Sequence, residues 1–203
     1  IASKQTRAMK LIGLTGSIAT GKSTVSQMCR DAGLPVHDAD SAVHKLLGPH
    51  GAAVSDILCQ FGDVGSLSAG INRQDLGSLV FKQPEKRQQL EHIIHPLVLQ
   101  DRERFLQACH RQKCRRVILD IPLLFETGGD SGCDKVIVVW APEWIQRKRA
   151  LLRHGMTAEK LDGILSHQVS QTVKRRLADL VLPSSLGRAE TRKRLLRWLR
   201  AHS

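Results

Sequence analysis

The chain has 203 residues, of which 41% are hydrophobic, and a chain of this size can bury one α/β core without disulfides or metals. Its five cysteines are odd in number and scattered, and no apolar run approaches the ~20 residues that cross a bilayer. Composition therefore argues against a disulfide framework, a zinc site and a membrane span, and we expect a soluble cytoplasmic protein. The formal net charge of +12 favours anionic partners, whereas the 3% aromatic content argues against a nucleic-acid binder that stacks bases.

The first predicted elements flank a glycine-containing loop. Residues 16–23 read G-S-I-A-T-G-K-S, a full match to the P-loop pattern G-x-x-x-x-G-K-[S/T]. A strand is predicted before it at residues 10–15, and a helix after it at residues 22–29. Glycines let successive backbone amides turn towards a polyanion at the positive end of that helix. The alternative is a βα turn that binds nothing, but the complete motif in this setting predicts binding of ATP or GTP.

Individual residues of the P-loop have predicted tasks. Lys22 is expected to reach the β- and γ-phosphates, and the hydroxyl of Ser23 to coordinate Mg²⁺. The predicted nucleotide-binding residues of this segment are Gly16, Ser17, Ile18, Ala19, Thr20, Gly21, Lys22, Ser23 and Thr24. The single asparagine of the chain, Asn72, leaves no properly placed N-K-x-D motif for reading guanine, so GTPases are set aside.

The second predicted strand, residues 34–38, is closed by the sequence H-D-A-D at residues 37–40. Asp38 and Asp40 are two residues apart, so on an extended chain their carboxylates point to the same side, at the edge where a parallel sheet places its ligands. Asp40 lies past the strand end and is better placed to accept the proton of an incoming hydroxyl. Alternatively, Asp40 is the N-cap of a helix that begins at Ser41, and the two roles are compatible.

The segment between the second and third core strands predicts a helical insertion. Residues 62–70 are typical of a loop, and residues 73–112 show helical periodicity that predicts two or three helices on the flank of the core. His95 precedes Pro96, which predicts a break between two helices. At that break the imidazole of His95 either contacts the acceptor substrate or serves as a structural hydrogen-bond partner.

Unbroken apolar runs at residues 116–121 and 135–140 predict strands buried on both faces of a parallel sheet, with a last strand at residues 180–182. The chain is therefore predicted to form a doubly wound α/β core with its sites at the carboxyl ends of the strands. The P-L-L-F-E segment follows the third core strand, so Pro122, Leu123 and Glu126 are predicted to face a substrate. Before it, Asp120 either assists Mg²⁺ through water or serves the backbone of the next turn.

Residues 141–176 contain eight Lys or Arg and three acidic residues. After a core strand of a P-loop protein, such a segment predicts a basic helical lid that closes over the nucleotide and excludes water. A solvated pair of charged helices is the alternative. If helical, Arg149 and Arg153 share one face and present two guanidinium groups to one anion. The final segment, residues 188–200, predicts an amphipathic helix docked on the sheet.

Five motifs follow one another along the chain: G-L-T-G-S-I-A-T-G-K-S-T-V, H-D-A-D, H-P, P-L-L-F-E and A-P-E-x-x-Q-x-x-R-x-x-x-R, the last from Ala141 to Arg153. In this order they resemble the dephospho-CoA kinase family. The similarity continues at Gln168 and at Ala178-Asp179, and so covers nearly the whole chain after Met9. Members of that family transfer the γ-phosphate of ATP to the ribose 3′-hydroxyl of dephospho-CoA, the last step of coenzyme A synthesis.

The resemblance implies a P-loop kinase-like three-layer α/β/α core with a parallel sheet, formed by residues 9–59, 115–140 and 178–203. It further implies an acceptor-binding helical insertion at residues 60–114 and a lid at residues 141–177. The cofactors would be ATP and Mg²⁺, and the partner a small molecule, with no nucleic acid and no membrane. The residue roles implied are Asp40 as general base, Lys22 and the P-loop amides on the ATP phosphates, Ser23 on Mg²⁺, Arg149 on the transferring phosphoryl group, and Arg153 as a second candidate there.

One departure from the family concerns the base of the nucleotide. Many members have an asparagine after the last strand, thought to hold adenine, where this chain offers only Ser184 and Ser185. Adenine is then held by backbone groups, which predicts a relaxed preference among nucleoside triphosphates. Two other functions stay open at this point: another small-molecule P-loop kinase, acting on a nucleoside, nucleotide or hydroxy acid, and a basic nucleic-acid-binding ATPase.

Overall fold

The structure is a computed structural model that describes residues 9–81 and 83–202. Its strands are β1 Lys10–Thr15, β2 Val36–Asp38, β3 Gly65–Ser66, β4 Gly70–Ile71, β5 Arg116–Asp120, β6 Lys135–Trp140 and β7 Leu180–Pro183. Its α-helices are α1 Lys22–Asp31, α2 Ala39–Leu47, α3 Val54–Phe61, α4 Arg73–Phe81, α5 Pro84–Arg111, α6 Glu143–Leu151, α7 Ala158–Ser166, α8 Gln171–Leu177 and α9 Arg188–Ala201. Short 3₁₀ helices cover Gly129–Gly132 and Ser184–Leu186.

A five-stranded sheet in the order β2-β5-β1-β6-β7 organises the larger of two compact units, which comprises residues 9–37 and 109–202. β1 lies between β5 and β6 and pairs in parallel with both, and β6 pairs in parallel with β7. Parallel neighbours bring the carboxyl ends of their strands to one edge, where ligands of such sheets bind. The predicted α/β class with a parallel sheet is confirmed.

Both faces of the sheet are buried, as the uninterrupted apolar strands predicted. Along β6, Ile137 and Val139 join a cluster with residues of α1 and α9, whereas Val136 and Val138 pack with Leu124 in a separate cluster. This alternation follows from the two-residue period of a strand, whose neighbouring side chains point to opposite faces. The amphipathic helix predicted near the carboxyl terminus is confirmed as α9, which buries Leu195 and Leu199 in the first cluster.

Residues 38–108 form the second compact unit, with an apolar cluster of its own. The cluster contains buried residues of α2, α3, β4, α4, α5 and the segments beside α3: Leu47, Ala53, Val54, Ile57, Val64, Ile71, Leu76 and Ile94. The insertion was predicted to begin at residue 60, but the compact unit begins at Asp38. The difference arises because α2 and α3 bury their apolar faces in this cluster.

The segment predicted as a loop at residues 62–70 contains a small antiparallel pairing of β3 with β4. Gly70 has φ of +82°, and a Cβ atom there would lie 2.6 Å from the carbonyl carbon of Gly48. Only glycine fits such a close approach without moving the backbone. The prediction missed this hairpin because each strand has two residues, too few to show a period.

The helix break predicted at His95 is wrong, because α5 runs through Pro96 without interruption. A proline inside a helix removes one hydrogen bond and disfavours the helix locally. The flanking residues Ile93, Ile94 and Leu97 pack into the cluster of the second unit, and this burial outweighs the local preference. His95 itself is exposed. Within the described ranges, no helix has the length and apolar character needed to span a bilayer.

Candidate active site

The P-loop joins β1 to α1 at the carboxyl edge of the sheet and is held by close backbone contacts. Gly16 lies against β6, where an added Cβ atom would come within 2.7 Å of the Val139 carbonyl oxygen. Gly21 caps α1 with φ of +96°, a conformation that disfavours other residues. Between them, the amide and hydroxyl of Thr20 donate to the Ser17 carbonyl over 3.2 Å and 2.8 Å. The first amides of α1 lack intrahelical acceptors, which makes this helix start a suitable site for an anion.

Lys22, the first residue of α1, contacts a buried carboxylate. Its Nζ lies 2.5 Å from Oδ1 of Asp120, whose side chain is 2% exposed at the end of β5. The sequence suggested other tasks for Asp120 and did not indicate this pairing. The pair fixes the direction of the lysine side chain at the edge of the sheet.

The charge of Asp120 also affects Cys29 of α1. Burial, followed by the charge of Asp120, raises the pKa of the Cys29 thiol to about 12.

Arg149 of α6 lies beside the P-loop and is held by Ser184. Its Nη1 donates to the Ser184 hydroxyl over 2.8 Å, and its Nη2 donates to the Ser184 carbonyl over 3.2 Å. The Ser184 hydroxyl in turn donates to the Thr20 carbonyl over 2.5 Å. A Cβ atom on Gly21 would lie 3.9 Å from Nη1 of Arg149, which places the guanidinium next to the start of α1.

The segment predicted as a lid contacts the tip of the P-loop. The amide of Ile18 donates to Oε1 of Gln168 over 3.2 Å, and Nε2 of Gln146 donates to the Ile18 carbonyl over 2.8 Å. Ala19 packs in an apolar cluster with Ala150 and Leu161. Both glutamines belong to the family-like sequence elements, but the sequence indicated no task for either.

The P-L-L-F-E segment after β5 contacts both the P-loop strand and α8. Thr15 donates to the Pro122 carbonyl over 2.9 Å, and Leu123 is 42% exposed. Oε1 of Glu126 lies 2.8 Å from the Val169 amide and 2.8 Å from Nζ of Lys174. The Lys174 contact is an ion pair of poor hydrogen-bond geometry. Glu126 therefore connects this segment to α8, and its contact with an acceptor stays a prediction.

A comparison with known protein families identifies the family of this chain. The model of the family CoaE, dephospho-CoA kinase, matches residues 10–190. The chain belongs to the dephospho-CoA kinase family. The dephospho-CoA kinase of Rhodospirillum rubrum is 50% identical over 177 residues, which cover 87% of this chain and 84% of that protein. The enzyme of the same name from Mesorhizobium japonicum is 47% identical over 181 residues, 88% of this chain and 89% of that protein.

Several solved structures share the fold of this chain. TT1252 from Thermus thermophilus superposes with a TM-score of 0.81 at 31% identity, covering 96% of this chain and 97% of that one. The dephospho-CoA kinase from Campylobacter jejuni has a TM-score of 0.66 at 24% identity, covering 96% and 98%. A shikimate kinase from Acinetobacter baumannii shares the fold with a TM-score of 0.54. The resemblance and the P-loop kinase fold are confirmed.

The prediction that Asp38 and Asp40 both lie on an extended chain is wrong. β2 ends at Asp38, whose carboxylate accepts a hydrogen bond from the Ser41 amide over 3.0 Å and so caps α2. Asp40 lies in the first turn of α2 and is exposed. The cap forms at Asp38 because its side chain reaches the third residue of the helix. Asp40 and His95 are both exposed residues of the second unit.

The prediction that Arg149 and Arg153 share one helix face is wrong. α6 ends at Leu151, and Arg153 is exposed in the turn that follows. The turn includes Gly155 with φ of +72°, which redirects the chain towards the N-cap of α7 at Thr157. Arg153 thus belongs to the connection between two helices.

The P-loop is followed by a candidate ligand for a metal ion. In the part of the chain that the structure describes, no group of three or more His, Cys, Asp and Glu side chains is arranged to hold a metal. Mg²⁺ bound to a nucleotide keeps several waters and takes only one or two protein oxygens besides phosphate. Ser23 is exposed at the second position of α1, and its hydroxyl fits that limited requirement.

Proposed function

We propose that this chain transfers the γ-phosphate of ATP to the ribose 3′-hydroxyl of dephospho-CoA, giving coenzyme A and ADP. Membership of the dephospho-CoA kinase family over residues 10–190 is the observation that carries this proposal. The P-loop geometry supports it, because a Lys and an Arg lie at the start of the helix that would receive the phosphates. The five free cysteines support a cytoplasmic enzyme.

In this proposal the P-loop binds the triphosphate. Backbone amides of the P-loop and of the first turn of α1 would contact the phosphates. Lys22, whose side chain is paired with Asp120, would reach the β- and γ-phosphates. Ser23 would hold Mg²⁺, which when bound supplies positive charge that neutralises the phosphate oxygens. The α6 to α8 segment braces the tip of the loop through its contacts with Ile18.

The acceptor side is assigned to residues of α2, of α5 and of the P-L-L-F-E segment. Asp40 is the general base that takes the proton of the 3′-hydroxyl as the oxygen attacks the γ-phosphorus. His95, Pro122, Leu123 and Glu126 are the residues proposed to contact dephospho-CoA. Exposure of Asp40, His95 and Leu123 supports this assignment, because an acceptor from solvent must reach its contacts.

Arg149 is assigned to the transferring phosphoryl group. Negative charge spreads over the oxygens of that group in the transition state, and a fixed arginine there can contribute roughly 10³-fold or more in rate. The position of Arg149 beside Gly21 supports this role. Arg153 is proposed as a further contact to the nucleotide phosphates, made from the exposed turn after α6.

Mass spectrometry of the product formed from ATP, Mg²⁺ and dephospho-CoA tests the proposed function. We expect the mass of dephospho-CoA to rise by one phosphoryl group, and phosphorus NMR to place that group on the ribose 3′-oxygen. Lys22→Ala serves as the control for contaminating kinases and should form far less product. Labelled γ-phosphate that appears on a nucleoside or sugar acid but never on dephospho-CoA would reject the proposal.

A further inference from the structure

Ser184 occupies a junction between three separate parts of the chain. It begins the 3₁₀ helix after β7, and it contacts Arg149 from α6 and Thr20 from the P-loop. A Cβ atom on Gly21 would lie 3.4 Å from Cβ of Ser184, so the serine packs directly against the start of α1. A single side chain thus connects the arginine that is proposed to stabilise the transition state with the loop that is proposed to bind the phosphates.

We infer that Ser184 is a positioning residue for phosphoryl transfer: it holds the Arg149 guanidinium beside the phosphate-binding loop before the nucleotide arrives. The inference rests on the proposed function, because it assigns Ser184 to the same reaction. Ser184 acts through Arg149 and does not itself need to contact ATP.

The chemistry of a hydroxyl suits this junction. A serine hydroxyl donates one hydrogen bond and accepts others, so it can give its proton to the Thr20 carbonyl while it accepts an N–H from Arg149. Alanine can do neither, whereas threonine keeps both functions. The planar guanidinium is also held at its second terminal nitrogen by the Ser184 carbonyl, which fixes the plane as well as the position.

The benefit to catalysis is preorganisation. A free arginine side chain samples many rotamers, and a group that must be found at the moment of reaction contributes less than one already in place. Here the guanidinium is fixed by two hydrogen bonds, and its Nη1 lies next to Gly21, the N-cap of α1. The arginine is therefore in position when negative charge develops on the phosphoryl oxygens.

The first test is steady-state kinetics of Ser184→Ala, Ser184→Thr and Ser131→Ala. Ser131 is the matched control, because it also lies in a 3₁₀ helix and donates to a backbone carbonyl, that of Gly128, over 2.9 Å. We expect Ser184→Ala to lower kcat about 10- to 100-fold with the KM for ATP within about threefold of wild type. Ser184→Thr should recover most of that loss, and Ser131→Ala should match wild type. A normal kcat in Ser184→Ala would overturn the inference.

A double-mutant cycle with Arg149→Ala separates positioning from a general loss of structure. If Ser184 acts through Arg149, then Ser184→Ala should cause almost no further loss of kcat in the Arg149→Ala background. An equal loss in both backgrounds would mean that Ser184 acts by another route, and would overturn the inference.

A crystal structure of nucleotide-free Ser184→Ala tests the positioning without any acceptor. Only the backbone carbonyl of residue 184 would still hold Arg149, so its guanidinium should shift from its place beside Gly21 or become disordered. An unchanged guanidinium would overturn the inference. This measurement also separates the two proposals. Wild-type enzyme that forms no product from dephospho-CoA would reject the proposed function, while the crystal structure would still decide what Ser184 does.

Discussion

At the scale of single residues, the candidate site is organised by polar side chains that each connect two parts of the chain. Asp120 fixes Lys22, and Ser184 fixes Arg149. Both charged groups are thereby directed before any ligand is present, which reduces the reorganisation required during reaction. Substitution of such residues should therefore affect turnover more than it affects nucleotide affinity.

Asp40→Asn is expected to spare ATP binding and to lower kcat by about 10²- to 10⁴-fold, because the amide cannot take the proton of the acceptor hydroxyl. Isothermal titration calorimetry with ATP and a coupled assay for ADP measure the two effects. Asp38→Asn is the matched control, since asparagine is a good N-cap and α2 should remain intact. Near-normal turnover of Asp40→Asn would show that another group is the base.

Cys29 is expected to resist alkylation in the folded protein. Burial and the charge of Asp120 raise the pKa of the thiol to about 12, so the reactive thiolate is scarce at pH 8. Peptide mapping after treatment with iodoacetamide should show early modification of the exposed Cys59, with Cys29 modified only in denaturant. Equal rates at the two cysteines in native buffer would contradict this environment for Cys29.

At the scale of elements, the P-L-L-F-E segment is joined to α8 by a buried ion pair. Glu126 and Lys174 have side chains that are 12% and 1% exposed. Removing one charge of a buried pair leaves the other uncompensated, which costs about 3–5 kcal/mol. Glu126→Gln should therefore lower the free energy of unfolding by roughly that amount, as measured by urea denaturation.

Two further variants make the Glu126 experiment decisive. Lys174→Met combined with Glu126→Gln should recover much of the lost stability, because no buried charge is then left without a partner. Asp162→Asn breaks the exposed pair with Arg147 and should change stability little. A Glu126→Gln protein as stable as wild type would mean that the pair contributes no net stability.

Asp179 ties β6 to β7 and gives this contact a pH dependence. Burial favours a higher pKa for Asp179, but hydrogen bonds from Lys135 and the Val136 amide outweigh it and lower the pKa. A carboxyl with a lowered pKa in the folded state stabilises the fold above its unfolded value of about 3.9, and this stabilisation disappears as pH falls through the folded pKa. The stability advantage of wild type over Asp179→Asn should therefore be full at pH 7 and shrink below about pH 4. An advantage that grows on acidification would contradict it.

The sequence predicted those elements whose pattern is local. The P-loop, the buried strands and α9 follow from motifs and periodicities within short windows, and these predictions are confirmed. Contacts such as Glu126 with Lys174 and Ser184 with Thr20 join residues that are far apart in the chain, and no local pattern reveals them. The break expected at Pro96 failed for a related reason, since packing of its neighbours overrode a local preference.

At the scale of the whole molecule, the chain folds as two compact units, and the proposed reaction divides its residues between them. The P-loop, Lys22 and Arg149 belong to the larger unit, and Asp40 and His95 to the unit of residues 38–108. The larger unit alone therefore contains the groups assigned to the phosphates. The sequence predicted an acceptor-binding insertion from residue 60, whereas the second compact unit begins at Asp38.

The donor preference of the enzyme should be relaxed. The resemblance led us to expect an asparagine in the loop after the last strand, where this chain offers only Ser184 and Ser185. The hydroxyl of Ser184 already bonds to Arg149 and Thr20. Adenine would then be read by backbone groups, and we expect kcat/KM for GTP to lie within about tenfold of that for ATP. Competition between the two triphosphates under identical Mg²⁺ concentrations measures this ratio. A preference of 10³-fold or more for ATP would contradict it.

Two glutamines hydrogen-bond to Ile18 at the tip of the P-loop, and these bonds affect how a nucleotide enters and leaves. Gln146 and Gln168 stand on opposite sides of α7 in the sequence, and together they use both the amide and the carbonyl of one residue at the loop tip. An outward movement of α6 and of the connection between α7 and α8 would therefore either displace Ile18 or break both hydrogen bonds. Release of ADP through such an opening would then also change the conformation of the loop tip.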